Sequence, residues 1–171
     1  NTTGTRNLAI GYQAYDASDT ENDNLAIGYQ TMTTDTAGGQ FNTAIGNYSM
    51  DALTSGDNNT AVGYEALTAN TTAISNTAFG HTALASTATG GYNTAVGYEA
   101  LNQNLAANNT AVGVYALKAN TTGTRNIAIG HAAYDNSDTE NDNLAIGYQA
   151  MTANTAGGTK NLAIGNYAMD A

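Results

Sequence analysis

The sequence has no cysteine, proline or tryptophan, and it has only two phenylalanines and four basic residues. The lack of cysteine excludes disulfides and thiolate metal ligands. Fourteen acidic residues outnumber the basic ones and give a net charge of −10, which opposes binding to nucleic-acid phosphates and to anionic membrane surfaces. No apolar run approaches the ~20 residues that a membrane-spanning helix needs. We therefore expect neither a nucleic-acid partner nor insertion into a membrane.

One short motif recurs along the chain and dominates its organisation. It reads Asn-[Thr/Leu/Ile]-Ala-[Ile/Val/Phe]-Gly, and its spacing is 17 residues with single-residue slips to 16 or 18. Each copy opens a coil, in which the Asn is position one. The ten coils start at Asn7, Asn24, Asn42, Asn59, Asn76, Asn93, Asn109, Asn126, Asn143 and Asn161. A fixed repeat of this length is typical of solenoid proteins.

The other columns of the repeat are also regular. Position three is Ala and position five is Gly in every coil, position eight is small, and position nine is Leu, Met or Tyr. A longer period lies above the coils, because residues 1–52 match residues 120–171 at 41 of 52 positions with an offset of 119 residues, or seven coils. We interpret residues 1–171 as a single repeat array taken from a longer one, and expect end-to-end continuation of the same fibre.

The repeat predicts an all-β fold, a parallel β-solenoid (β-roll) of about ten 17-residue coils. A helix is disfavoured because a Gly in every coil costs about 1 kcal/mol, whereas β-branched residues at position four suit a strand. Seventeen residues accommodate two short strands and two turns. Coils stacked at ~4.8 Å satisfy each other's backbone hydrogen bonds, and ten coils then rise by roughly 48 Å.

Each column has an expected place in such a coil. We expect position four (Ile10, Ile27, Val62 and their equivalents) to point into the core, opposite the large residues of position nine. The invariant Ala and Gly then lie on the other strand face, close to another backbone within the narrow coil or in a neighbouring chain. The ten asparagines of position one are predicted to form a side-chain ladder along the stack.

The run Asn-Thr-Ala-Val-Gly-Tyr-Glu-Ala-Leu at residues 59–67, echoed at 93–101, resembles the head repeats of trimeric autotransporter adhesins. It is also similar to repeats in long bacteriophage tail fibres. The resemblance covers essentially the whole chain. It implies a left-handed parallel β-roll, commonly trimeric, whose chains pack side by side along the axis of an extracellular fibre on a cell or virion surface. It implies no catalytic residues and no cofactor.

Eight of the fourteen acidic residues lie in two equivalent loops. They are Asp16, Asp19, Glu21 and Asp23, and Asp135, Asp138, Glu140 and Asp142. Alternating carboxylates resemble the ligand spacing of Ca²⁺ sites, although the turn Gly and closing Glu of an EF-hand are missing. The alternatives are a weak Ca²⁺ site and a solvated acidic turn, and we favour the solvated turn.

Aromatic residues concentrate at positions six and seven. Tyr12, Tyr29, Tyr64, Tyr98 and Tyr148 occupy position six, and Tyr48, Tyr115 and Tyr167 occupy position seven. These tyrosines suit contacts with a surface glycan or receptor, or packing between chains, which we favour. His81 and His131 share position six but lack the neighbours that a metal site needs.

The sequence therefore predicts a non-enzymatic structural segment of an extracellular fibre, of adhesin or tail-fibre type, that serves attachment or scaffolding. Homo-oligomerisation, with a trimer favoured, is expected because both faces of the first strand look buried. A glycan- or receptor-binding module is the alternative. Ice binding is a weaker one, suggested by the run Thr43, Thr60, Thr77, Thr94 and Thr110 at position two. Flanking Leu and Ile in that column favour a buried or interfacial face instead.

Overall fold

The structure is a computed structural model that describes residues 4–16, 20–34, 38–136, 138–152 and 158–169. Its regular elements are ten strands of three residues, one in each coil. They are β1 (Leu8–Ile10), β2 (Leu25–Ile27), β3 (Thr43–Ile45), β4 (Thr60–Val62), β5 (Thr77–Phe79), β6 (Thr94–Val96), β7 (Thr110–Val112), β8 (Ile127–Ile129), β9 (Leu144–Ile146) and β10 (Leu162–Ile164). The strands form one sheet in the order β1 to β10.

Every strand pairs in parallel and in register with the next strand of the sequence. The alanine of position three meets the same alanine of the next coil at all nine junctions, as Ala61 meets Ala78 between β4 and β5. The described residues contain no helix. The prediction of an all-β parallel β-solenoid is therefore confirmed.

Each coil contains one strand in its described part, rather than the two that the repeat length suggested. The second half of the circuit is a wall of turns in which positions seven and nine have positive φ angles, such as 52° at Glu65 and 53° at Leu67. Strands do not adopt this conformation. The turns still bond from coil to coil, because the Leu67 N–H donates to the Ala83 carbonyl at 3.0 Å. A coil thus has a strand wall and a turn wall.

A small residue from one wall and a large residue from the other fill the core. The alanines of position three point inward and are fully buried from Ala26 to Ala145. The position-nine side chain, such as Leu84 or Leu101, enters from the turn wall and is fully buried as well. Because interiors are close-packed, the large residue of position nine leaves room only for a methyl group on the strand opposite.

The invariant glycine of position five closes the strand wall. Gly63 has a φ of 143°, and a Cβ added there would lie 2.4 Å from the carbonyl oxygen of Gly80 in the next coil. Both the φ angle and the close stacking exclude a side chain. This accounts for the unbroken glycine column.

The asparagines of position one form a ladder along the inside of the strand wall. The side-chain Oδ1 of each accepts a hydrogen bond from the backbone N–H of the next, at 2.9 Å from Asn76 to Asn59 and again from Asn93 to Asn76. The contact repeats from Asn7 to Asn161. The Nδ2 of each asparagine from Asn7 to Asn143 donates to a carbonyl near the end of the same coil, at position fourteen (Ala106), fifteen, or sixteen (Gly39 and Gly158). The ladder therefore satisfies buried amides and ties each coil closed.

Candidate functional site

Two columns of side chains on the strand wall project away from the core. Side chains alternate along a strand, so inward alanine at position three sends positions two and four outward. Ile10 is 53% exposed and Phe79 is 55% exposed. The expectation that position four fills the core is wrong, because the alanine and position-nine columns already occupy that space. The outward columns of β1–β10 are called the strand face.

The strand face is long and carries no charge. Position two is Leu, Ile or Thr and position four is Ile, Val or Phe in every coil. Ten strands at ~4.8 Å extend over about 43 Å, and the two columns lie ~7 Å apart along each strand. A contiguous exposed apolar surface of this size is typical of an interaction site.

The five threonines of position two lie in the middle of the strand face, on β3 to β7. Their side chains point outward and are half-buried or exposed, as at Thr60 and Thr77. The sequence favours a buried or interfacial place for this column. In the single chain the column faces solvent, with Leu and Ile above and below the threonines.

One aromatic ring per coil stands beside the strand face and forms what we call the aromatic ladder. In chain order its members are Tyr12, Tyr29, Tyr48, Tyr64, His81, Tyr98, Tyr115, His131, Tyr148 and Tyr167. Where position six has no ring, at Asn47, Val114 and Asn166, position seven supplies it. This compensation is visible in the sequence, but it is lost when the two positions are treated as separate columns.

Neighbouring rings contact one another along the whole ladder, with centroids 5.1 to 6.0 Å apart. Two position-six rings stack, as Tyr64 on His81 with planes 22° apart. A position-seven ring meets its neighbours edge-on, as Tyr115 meets Tyr98 at 83°. Each pair contributes about 0.5–1.5 kcal/mol. Where rings stack, their faces cover each other, which leaves ring edges and hydroxyls for an outside partner.

Carboxylates at position seven border the ladder. The Glu99 carboxylate accepts a hydrogen bond from Tyr98, which raises the pKa of the tyrosine, and Glu65 makes the equivalent bond two coils earlier. Lys118 Nζ lies 2.6 Å from Glu99 and 4.6 Å from the centroid of the Tyr115 ring. Its hydrogen bond holds the pKa of Glu99 below the usual range and raises the pKa of Lys118.

The two histidines are members of the aromatic ladder. His81 lies between Tyr64 and Tyr98, with centroids 5.1 and 5.2 Å away, and His131 stacks on Tyr148 at 5.3 Å. Across the described part of the chain, no group of three or more His, Asp or Glu side chains is placed to hold a metal ion. The histidines thus extend a packing column.

Two of the Ca²⁺ candidates lie in the core instead of the solvent. Glu21 and Glu140 are 1% and 3% exposed. Their carboxylates accept backbone hydrogen bonds, from Gly38 to Glu21 at 3.1 Å and from Thr139 to Glu140 at 3.2 Å. A buried carboxylate needs such donors. These oxygens are engaged inside the coil.

The same two coils have tyrosine at position nine, where other coils have Leu or Met. The Tyr15 hydroxyl accepts a hydrogen bond from Asn24 at 2.6 Å, and the Tyr134 hydroxyl accepts one from Asn143 at 2.7 Å. The ladder asparagine thus provides a partner for the buried phenol. The polar-cored coil recurs once in the 119-residue period.

The aspartates of the acidic loops lie nearer the surface. Asp23 pairs with Arg6, and Asp142 pairs with Arg125 at 2.6 Å, in both cases between adjacent coils. The hydrogen bond from the arginine lowers the pKa of each aspartate. Asp19 lies outside the described residues. The remaining candidates are Asp16, Asp135 and Asp138. Four of the seven described candidates thus lie in the core or in separate ion pairs, and the described residues hold no group of three or more carboxylates or histidines placed to bind a metal ion.

Among the described residues, no helix has the length and apolar character to cross a membrane. Comparisons with protein-family models, with curated proteins and with solved structures find no match to this chain.

Proposed function

We propose that this chain is a structural repeat segment of an extracellular fibre that serves as a scaffold for attachment. The observation that carries the proposal is the unbroken bonding from coil to coil. Parallel strand pairs, turn-wall hydrogen bonds and the asparagine ladder all run along one axis. In a solenoid each repeat contacts only its neighbours, so length grows with the number of repeats. The resemblance of residues 59–67 to adhesin and tail-fibre repeats supports the same role.

We propose a mechanical rather than a catalytic role for the polar residues. The ion pair between Lys118 and Glu99, and the pair between Arg125 and Asp142, each join successive coils. The buried Glu140 carboxylate accepts backbone donors within its own coil. Each of these groups has a structural partner along the stack.

The scaffold role is tested by lengthening the array in register. A second copy of residues 53–171 after Ala171 adds one 119-residue period, and the particle should lengthen by about 34 Å. Small-angle scattering and electron microscopy measure the length. A particle that becomes wider or more compact, without lengthening, would overturn the proposal.

The extracellular location is tested by immuno-electron microscopy. Antibodies raised against the purified chain should decorate filaments on the surface of the source cells or virions. Labelling confined to the cell interior would contradict the fibre proposal.

A second candidate function is binding to ice, which the outward threonine column supports. Thr60, Thr77 and their equivalents repeat at ~4.8 Å on a strand face without charge. Phe79 projects from the middle of that face and argues for a protein partner. A freezing hysteresis that is lost in Thr60→Lys would support ice binding, and the absence of hysteresis in the unaltered chain would remove it.

A further inference from the structure

We infer that the strand face binds a second copy of this chain, sheet against sheet, about a two-fold axis parallel to the stack. The inference rests on the proposed function, because it identifies the partner of the fibre segment. It takes the strand face, rather than the aromatic ladder, as the contact surface.

The strand face has the composition of an interface. Of its twenty side chains, fifteen are Leu, Ile, Val or Phe and five are Thr. Nine of its fifteen apolar side chains are exposed, including Ile10, Phe79 and Ile129, and the other six, such as Ile27 and Val62, are half-buried. Burial of apolar surface contributes about 25 cal/mol per Å², so covering this strip would strongly favour association.

The area of the strand face matches that of a stable dimer. The strip is about 43 Å long, and two columns with their side chains are about 15 Å wide, which offers roughly 650 Å² per copy. Two copies would bury about 1,300 Å², within the usual range for specific protein interfaces. Stacked sheets pack ~10 Å apart, which accommodates the side chains of both faces.

Charge favours a second copy at this face over any other face of the molecule. The chain has a net charge of −10, so two copies repel wherever their acidic turns meet. Positions two and four are uncharged in all ten coils. The nearest charges lie at the borders of the strand face. Examples are Glu65 and Glu99 at position seven and the Arg6–Asp23 pair before β1.

Side-chain size selects the orientation. A two-fold axis parallel to the stack keeps equal coils level and sets position two of one copy against position four of the other. In β3 to β7 this places a threonine opposite Ile, Val or Phe on both columns, so the gap between the sheets is even. At the widest side chain, Phe79, the facing residue is the small Thr77. An antiparallel pair would set threonine against threonine and Phe79 against Val96, which leaves an uneven gap that close packing disfavours.

The symmetry also favours a dimer over the trimer that the sequence predicts. A two-fold pair uses the same surface on both copies, whereas a three-fold ring needs two different complementary surfaces. The strand face is extended and uncharged, and it lies on one side of the coils. That face suits the two-fold arrangement.

The association is tested with charged substitutions in the middle of the face. Sedimentation equilibrium of the unaltered chain should give twice 17.5 kDa, or 35 kDa, at high concentration. The double variant Val62→Lys/Val112→Lys should be monomeric, because pairing would bury four ammonium groups. Thr72→Lys/Gln103→Lys, which makes the same change in charge on the turns, should stay dimeric. Circular dichroism checks that both variants fold.

Each outcome decides the inference. A dimer that only the strand-face variant disrupts supports it, whereas a monomer, a trimer or equal loss in the turn variant overturns it. Particle length distinguishes failure of the pairing from failure of the proposed fibre function. A monomer that still lengthens by about 34 Å per added period contradicts only the pairing.

The orientation has its own readout. Spin labels on Lys160→Cys lie at the same level in the proposed pair, whereas an antiparallel pair separates them by about 43 Å along the stack. A short distance by pulsed electron paramagnetic resonance supports the parallel two-fold. The long distance overturns it.

Discussion

The two walls of each coil contact the core in opposite ways. The strand wall sends alanine inward and leaves Ile, Val, Phe, Leu and Thr on the outside. The turn wall sends Leu, Met or Tyr inward from position nine. In β6, for example, Ala95 is fully buried and Val96 is 36% exposed, while Leu101 of the facing turn wall is fully buried. The more apolar side of the strand is thus the outer one.

This difference shows that enclosed volume, rather than residue hydrophobicity, decided which strand face is internal. A circuit of about 17 residues encloses a narrow core, in which the large side chain of position nine lies opposite the strand. The turn wall supplies it, since its positive φ angles at positions seven and nine aim Leu or Met inward. The strand wall can then place only a methyl group in the core.

The largest effect is expected from removing the turn-wall contribution. Leu101→Ala should destabilise the fold by about 3 kcal/mol, because the neighbouring backbones cannot collapse into the cavity. The melting temperature should fall by roughly 6–12 °C. Val96→Ala, on the outside of the facing strand, should cost under about 1 kcal/mol when measured in dilute solution. Equal losses would show that the two walls contribute alike.

Enlarging the strand wall should have the next largest effect. Ala95→Leu adds three carbons to a filled core and should cost about 2 kcal/mol through overpacking. The matched change Val96→Leu lies on the strand face and should leave the urea midpoint nearly unchanged. A neutral Ala95→Leu variant would mean that the core has unused room.

Removing one rung of the asparagine ladder should cost about 1.5 kcal/mol. Asn93→Ala leaves the backbone N–H of Asn109 without its acceptor and removes one of the two side-chain donors to the carbonyl of Ala106, and buried unsatisfied groups are costly. Thr94→Ala, next to it but outward, is the control. Hydrogen exchange should show loss of protection at Asn109 in the first variant alone.

The smallest effect is expected on the outside of the turn wall. Lys118→Met removes the partner of Glu99 but keeps an apolar chain near Tyr115, and an exposed ion pair contributes at most about 0.5 kcal/mol. Since Lys118 lowers the pKa of Glu99, the pair stabilises the fold above the ordinary glutamate pKa. That contribution disappears as the pH falls through the folded-state pKa. In the variant, NMR titration should show a higher pKa for Glu99, and Lys160→Met should leave it unchanged.

Much of the candidate site could be named from the sequence, but not its arrangement. In the sequence the tyrosines of positions six and seven form two columns, and only folding brings Tyr48 and Tyr64 into one run of rings. The acidic loops are alike along the chain, yet Glu21 points inward and Asp23 outward. The spacing of the acidic residues does not encode which side chains point inward, because their direction depends on where the coil closes.

The sequence by itself determined the period, the glycine column and hence the parallel stack. A repeat of 17 residues aligns identical columns when the coils stack. Only glycine, as at Gly63 and its equivalents, tolerates a φ near 140° at the spacing between coils. Alternation at positions two, three and four also required alanine and its apolar neighbours to lie on opposite sides of the strand. Which side became the core was decided by the tertiary structure. The opposite wall had already filled the enclosed volume, so Ile, Val and Phe remained outside, where the proposed second chain would cover them.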